Sequence, residues 1–153
     1  MEAKGSLKGN NGYYLKVKAG NHELVFDEPA DKHGTDFGPT PVETLISALV
    51  ACTNMTVQMY ARMKEWPLDE IAVRVTGEQE AGTGKLILQR EITITGDLDE
   101  AQRDRLLGIA NRCPVHKILS QKNDIVTKLV VMDMDSISGS TCNFGHNVSI
   151  LTN

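Results

Sequence analysis

The sequence predicts an α+β domain in which an antiparallel sheet wraps a long buried helix, and three observations carry that prediction. One stretch, Leu45 to Val57, is apolar nearly all round when wound at helical pitch, as a helix covered on every side must be. Ahead of it and behind it lie pairs of short segments separated by turn residues, the later pair alternating with period two. The chain has 153 residues, enough for one domain with a core of useful size.

Tyr13 to Lys18 and His22 to Asp27 read as strands joined by a Gly20-Asn21 turn. Residues 28–39, rich in Asp, Gly and Pro, read as loop. Thr40-Pro41-Val42-Glu43 is the clearest start signal: Thr40 as N-cap, Pro41 as first helical residue, Glu43 closing a capping box. The helix is expected from Pro41 to about Glu65, where Trp66-Pro67 stops it. Ile71 to Thr76 and Lys85 to Thr95 follow as strands, the second with Leu86, Leu88, Ile92 and Ile94 alternating with more polar neighbours. Asp97 is placed as the cap of a second helix with Glu100 three residues on, burying Leu98, Leu106, Leu107, Ile109 and Ala110. Pro114 ends that helix and opens a short one, Val115 to Gln121, and Ile125 to Met132 is expected as a last strand. The order is β-β-α-β-β-α-α-β. Residues 1–133 form the domain, and residues 134–153, rich in Ser, Gly, Asn and Thr, read as a tail.

A net charge of −4 argues against non-specific binding to nucleic acid or to an anionic membrane surface. No stretch approaches the ~20 apolar residues of a membrane span. The N-terminus lacks the layout of a signal peptide, which leads us to expect a cytoplasmic protein. Three widely spaced cysteines in a reducing compartment leave buried thiols, a metal site or redox chemistry.

Cys113 has the better local environment for a reactive thiol. Before Pro114 it sits at a helix N-terminus, where free N–H groups and the dipole favour a thiolate, and Arg112 and His116 are close in sequence. The bland alternative is a cysteine tolerated at a corner. Cys52 lies in the buried helix, where a cysteine is ordinarily a small core hydrophobe.

The stretch Gly38 to Thr53, with a proline, an acidic residue, small and apolar residues and then Cys52, resembles the helix motif of the OsmC/Ohr family. Arg112-Cys113-Pro114-Val115-His116-Lys117-Ile118-Leu119 resembles that family's second motif, a Cys-Pro followed by a short helix. The two stand in the family's order and at about its separation. The resemblance covers about residues 10–133. It implies an intertwined homodimer that reduces organic hydroperoxides in oxidative stress defence, without a bound cofactor. In that scheme Cys52 attacks the peroxide and becomes a sulfenic acid, Cys113 resolves it to a disulfide, and an external dithiol reductant restores the pair.

Two departures from the family pattern place the chain in a divergent branch. The family's N-terminal arginine has no counterpart, since the first arginine is Arg62; its role is vacant or is taken by a lysine such as Lys16 or Lys18, which lacks an arginine's planar fork. The family's glutamate lies ten residues before the cysteine, where this chain has Val42. Glu43, nine before it, points about 180° away at ~3.6 residues per turn, so capping is placed ahead of catalysis for it. Two other readings remain open. Cys113, His116, Cys142 and His146 have the spacing of two zinc-ligand pairs. An interface lined by Met55, Met59, Met63, Tyr60 and Trp66 suits a non-catalytic binder of an apolar small molecule.

Overall fold

Gly20 adopts a φ of 59°, a left-handed conformation open to glycine at little cost, and it reverses the chain between the first long strands. The computed structural model describes residues 1–9 and 12–130. Its first sheet contains β1 (Ala3–Gly5), β2 (Leu15–Ala19) and β3 (His22–Phe26), antiparallel and in that order. Three residues are too few to show a period, so β1 has no signal in the sequence. The loop that follows is organised by Asp27, a buried carboxylate. It accepts the backbone N–H groups of Glu28, Thr35 and Phe37 and the hydroxyl of Thr35.

The helix start is as expected. α1 (Pro41–Met63) has Thr40 as N-cap with a complete capping box: Glu43 N–H donates to the Thr40 hydroxyl at 3.2 Å, and the Thr40 N–H donates to the Glu43 carboxylate at 2.7 Å. Its end comes earlier, because the chain closes a reciprocal pair of backbone bonds there. Trp66 N–H reaches Ala61 and Glu65 N–H reaches Arg62, with Glu65 itself at a φ of 55°. Leu49, Thr53, Val57 and Ala61, spaced four apart, form the buried stripe of α1. Among the described residues the expected cover on all sides is incomplete, for Val42, Leu45, Met55, Met59 and Met63 are exposed.

β4 (Leu68–Gln79) and β5 (Leu86–Gly96) form a separate two-stranded antiparallel sheet, so the strands divide into two sheets rather than one. An irregularity between Leu68 and Glu70 shifts the phase of β4, which puts Leu68 and Ile71 on the same side. That side packs against α1. The core gathers Val57 and Ala61 of α1 with Leu98, Leu106 and Ala110, flanked by Tyr60, Trp66, Leu68, Ile71, Ile92 and Ile94.

α2 (Glu100–Ala110) starts two residues later than expected. Its cap is Asp99, paired with Gln102 in a capping box, and not Asp97 with Glu100. Both pairs satisfy the same spacing rule; Leu98 decides between them, because starting the helix after Asp99 lets Leu98 reach the core from outside it. Leu107, placed by sequence on the buried side, is 52% exposed. α3 (Pro114–Leu119) begins at Pro114 itself. Residues 122–130 form no strand, and Ile125, Val126, Leu129 and Val130 are exposed. An apolar, β-branched run becomes a strand only where an edge is free to pair with it, and its hydropathy cannot reveal that. The remainder of that expected strand and the 133/134 boundary lie outside the described residues.

Candidate active site: a paired dithiol

Proline disfavours helical geometry in the residue before it, so Cys113 is extended (φ −52°, ψ 130°) and caps α3. Its sulfur accepts the backbone N–H of His116 at 3.4 Å, and its own N–H donates to the Ala110 carbonyl at 3.3 Å. The residue is fully buried. α1 packs against α3 and brings Cys52, half-buried, against it. The two thiols, 61 positions apart in sequence (113 − 52), come close enough to influence each other's ionisation. Both are free cysteines.

The two sulfurs divide their charge unequally. Burial is the largest influence on Cys113 and pushes its pKa up. Four donors outweigh it and hold the thiol below its ordinary range: the Cys52 thiol, the His116 N–H, the Thr53 hydroxyl and the Val115 N–H. Cys52 moves the other way, raised first by burial, then by its hydrogen bond to Cys113 and by the charge there. Of the two, Cys113 is the thiol that its surroundings favour as the anion.

Glu43 remains at the start of α1, nine residues or ~13 Å along the axis from Cys52, with its carboxylate held by the Thr40 N–H and hydroxyl. Those bonds, the backbone one first, lower its pKa. Lys16 is ion-paired with Glu23 at 2.7 Å on the exposed face of β2 and β3, and Lys18 is exposed in the same strand. The charge of Arg112 acts on Tyr60, and His116 serves Cys113 through its backbone N–H. Tyr60 and Trp66 meet edge to face at 5.7 Å beside the core. Cys142 and His146 lie outside the described residues.

Sequence reasoning missed Arg90. It occupies the inward row of β5, between Leu88 and Ile92, and its guanidinium donates to Thr53 Oγ1 at 3.1 Å, to the Ala110 carbonyl at 3.2 Å and to Asn111 Oδ1 at 2.7 Å. A charged residue in an apolar row of period two was the available signal. Arg90, Asn111 and His116 also line a cavity of about 330 Å³ whose other walls include Leu49, Leu88 and Ile92.

Among curated proteins no sequence matches the chain closely. Solved structures share its fold. An OsmC-like protein from Mycoplasma pneumoniae is 22% identical with a TM-score of 0.66, over 78% of this chain and 86% of that one. An organic hydroperoxide resistance protein OsmC from Legionella pneumophila is 21% identical with a TM-score of 0.58, over 77% and 87%. The organic hydroperoxide resistance protein OhrB of Bacillus subtilis is 20% identical with a TM-score of 0.53, over 77% and 90%. The model of the OsmC-like protein family matches residues 32–128, a span that contains α1, β4, β5, α2, α3 and both cysteines, and the chain belongs to that family.

Proposed function

We propose that the chain is a thiol-dependent hydroperoxide reductase of oxidative stress defence, using Cys52 and Cys113 as its redox pair. The observation that carries this reading is a partly accessible Cys52 on α1, packed against α3, where the buried Cys113 sulfur accepts the His116 N–H. Two structures of the same fold are named for organic hydroperoxide resistance, which supports the substrate class.

The unequal charge suggests how each cysteine works. Cys113 is fully buried and cannot meet a bulky peroxide, whereas Cys52 is partly accessible. Transfer of the Cys52 proton to the Cys113 thiolate makes Cys52 the nucleophile. It attacks the distal peroxide oxygen, the O–O bond breaks, and the alkoxide leaves and takes a proton from water. Cys113, now a thiol, attacks the sulfenic sulfur of Cys52, and water departs as the disulfide forms. The net change is one hydroperoxide and two thiols to one alcohol, one water and one disulfide. An external dithiol then reverses the disulfide by exchange, and no bound cofactor is called for. The free thiols suit a reducing compartment, and we place the protein in the cytoplasm, as a homodimer.

Consumption of cumene hydroperoxide with a dithiol tests the reading. Wild type should turn over, and Cys52→Ser should be inert. An inert wild type with both thiols reduced would instead favour the small-molecule binding role.

A further inference from the structure

Arg90 is an expensive residue to place where it stands. Its row on β5, Leu86, Leu88, Arg90, Ile92 and Ile94, is the one turned inward, and the strand's other residues face outward. A cation in such a row must be matched by acceptors, and its acceptors are unusual in where they lie. Thr53, next to Cys52 on α1, is fully buried. Ala110 and Asn111 are the last residue and the C-cap of α2. The Ala110 carbonyl accepts both from Arg90 and from the N–H of Cys113. One guanidinium thus ties α1, β5 and the corner that carries Cys113.

We propose that Arg90 is a positioning residue of the dithiol site, holding the Thr53 hydroxyl and the Ala110–Asn111 corner so that hydrogen-bond donors face the Cys113 sulfur. The Thr53 oxygen sits 2.7 Å from the Leu49 carbonyl and also interacts with Cys113. A hydroxyl has one hydrogen and two lone pairs. Arg90 fills a lone pair, which polarises the O–H and strengthens its donation. The hydrogen turns toward Cys113 when that sulfur is a thiolate and back to Leu49 when the charge is gone. The charged or titratable groups around the sulfur are then Cys52 from α1, Arg90 from β5 acting through Thr53, and His116 of α3, whose backbone N–H makes the contact. The inference concerns the thiols of the proposed reductase, but its test needs no peroxide.

The Cys113 thiolate is titrated by its ultraviolet absorbance in the full chain carrying Cys142→Ser, and assigned by adding Cys113→Ser. Arg90→Gln, Arg90→Leu and Thr53→Val should each move the Cys113 titration up by about one pH unit, the size of one hydrogen bond to a charged group. Because Arg90 acts through Thr53, the Arg90→Leu/Thr53→Val pair should move it no further than either alone. Arg90→Lys should rescue only in part, since an ammonium cannot span the three acceptors. A lowered melting temperature with an unmoved titration in Arg90→Gln would reduce Arg90 to a structural clamp and overturn the proposal. Additive shifts in the double variant would overturn the route through Thr53. If Arg90→Leu does not fold, Thr53→Val and Arg90→Gln decide alone. A shifted titration in a protein that ignores peroxide would sink the reductase reading and leave this one standing.

Discussion

At Cys113 two opposing effects meet: burial disfavours a charged sulfur, and four donors favour it. The donors win, so the anion exists at pH values where an ordinary thiol is still protonated. The sign follows directly. The first equivalent of peroxide should be consumed faster as pH rises through the lowered Cys113 titration, then level off before the usual thiol range. In Cys113→Ser the base is gone, so that rise should move to higher pH, yet Cys52 should still accumulate sulfenic acid, seen as a dimedone-type adduct by mass spectrometry. An adduct on Cys113 in wild type instead would reverse the roles of the two cysteines. Asp27 offers a second pH test. The Thr35 hydroxyl above all, then three backbone N–H groups, outweigh burial and lower its pKa. A depressed carboxyl contributes stability above its unfolded pKa and loses it as pH falls through the folded one. Asp27→Asn should therefore flatten the acid side of the stability profile. Local sequence was enough to single out Cys113, because Cys-Pro is itself a cap. It could not show that Arg90, which lies 23 positions earlier (113 − 90), bonds to Thr53 beside Cys52, a contact made only through folding.

At the scale of elements, the start of α1 was legible and its end was not. Thr40, Pro41 and Glu43 write a start within four residues, whereas α1 ends through backbone bonds that any side chain permits. Two substitutions check that contrast. Glu43→Gln retains the capping box and should leave melting temperature and turnover nearly unchanged, while Glu43→Ala should cost about 1 kcal/mol. Lost turnover in Glu43→Gln at constant stability would give Glu43 a role in the reaction. Glu65 holds a left-handed φ that a side chain disfavours. Glu65→Gly should raise stability by up to about 1 kcal/mol, measured by denaturant unfolding. The strands β4 and β5 were legible from alternation, and their extra residues were not, because Glu78 and Gln79 extend the ladder by pairing rather than by burial. The choice of Asp99 over Asp97 rested on where Leu98 packs, a fact of the tertiary fold.

At the scale of the whole molecule, the described residues include a contiguous exposed apolar face. On α1, Met55, Met59 and Met63 are 64%, 71% and 66% exposed, four residues apart and so on one face. With Val42 and Leu45 near the helix start they make a stripe along most of its length. Water contact with such a stripe is unfavourable by roughly 25 cal/mol per Å² of apolar surface, and a second copy that covers it recovers that energy. This is the physical support for the proposed homodimer, since a second copy on this face would complete the cover that the sequence of α1 calls for. We therefore predict a dimer at micromolar concentration in sedimentation velocity. Met59→Glu, placed at the middle of the stripe, would have to bury a carboxylate without a partner, and should shift the equilibrium strongly toward monomer. Met59→Leu, which retains the apolar volume, should not. A monomeric wild type, or a Met59→Glu variant that remains a dimer, would separate α1 from the interface and leave its methionines without a structural role.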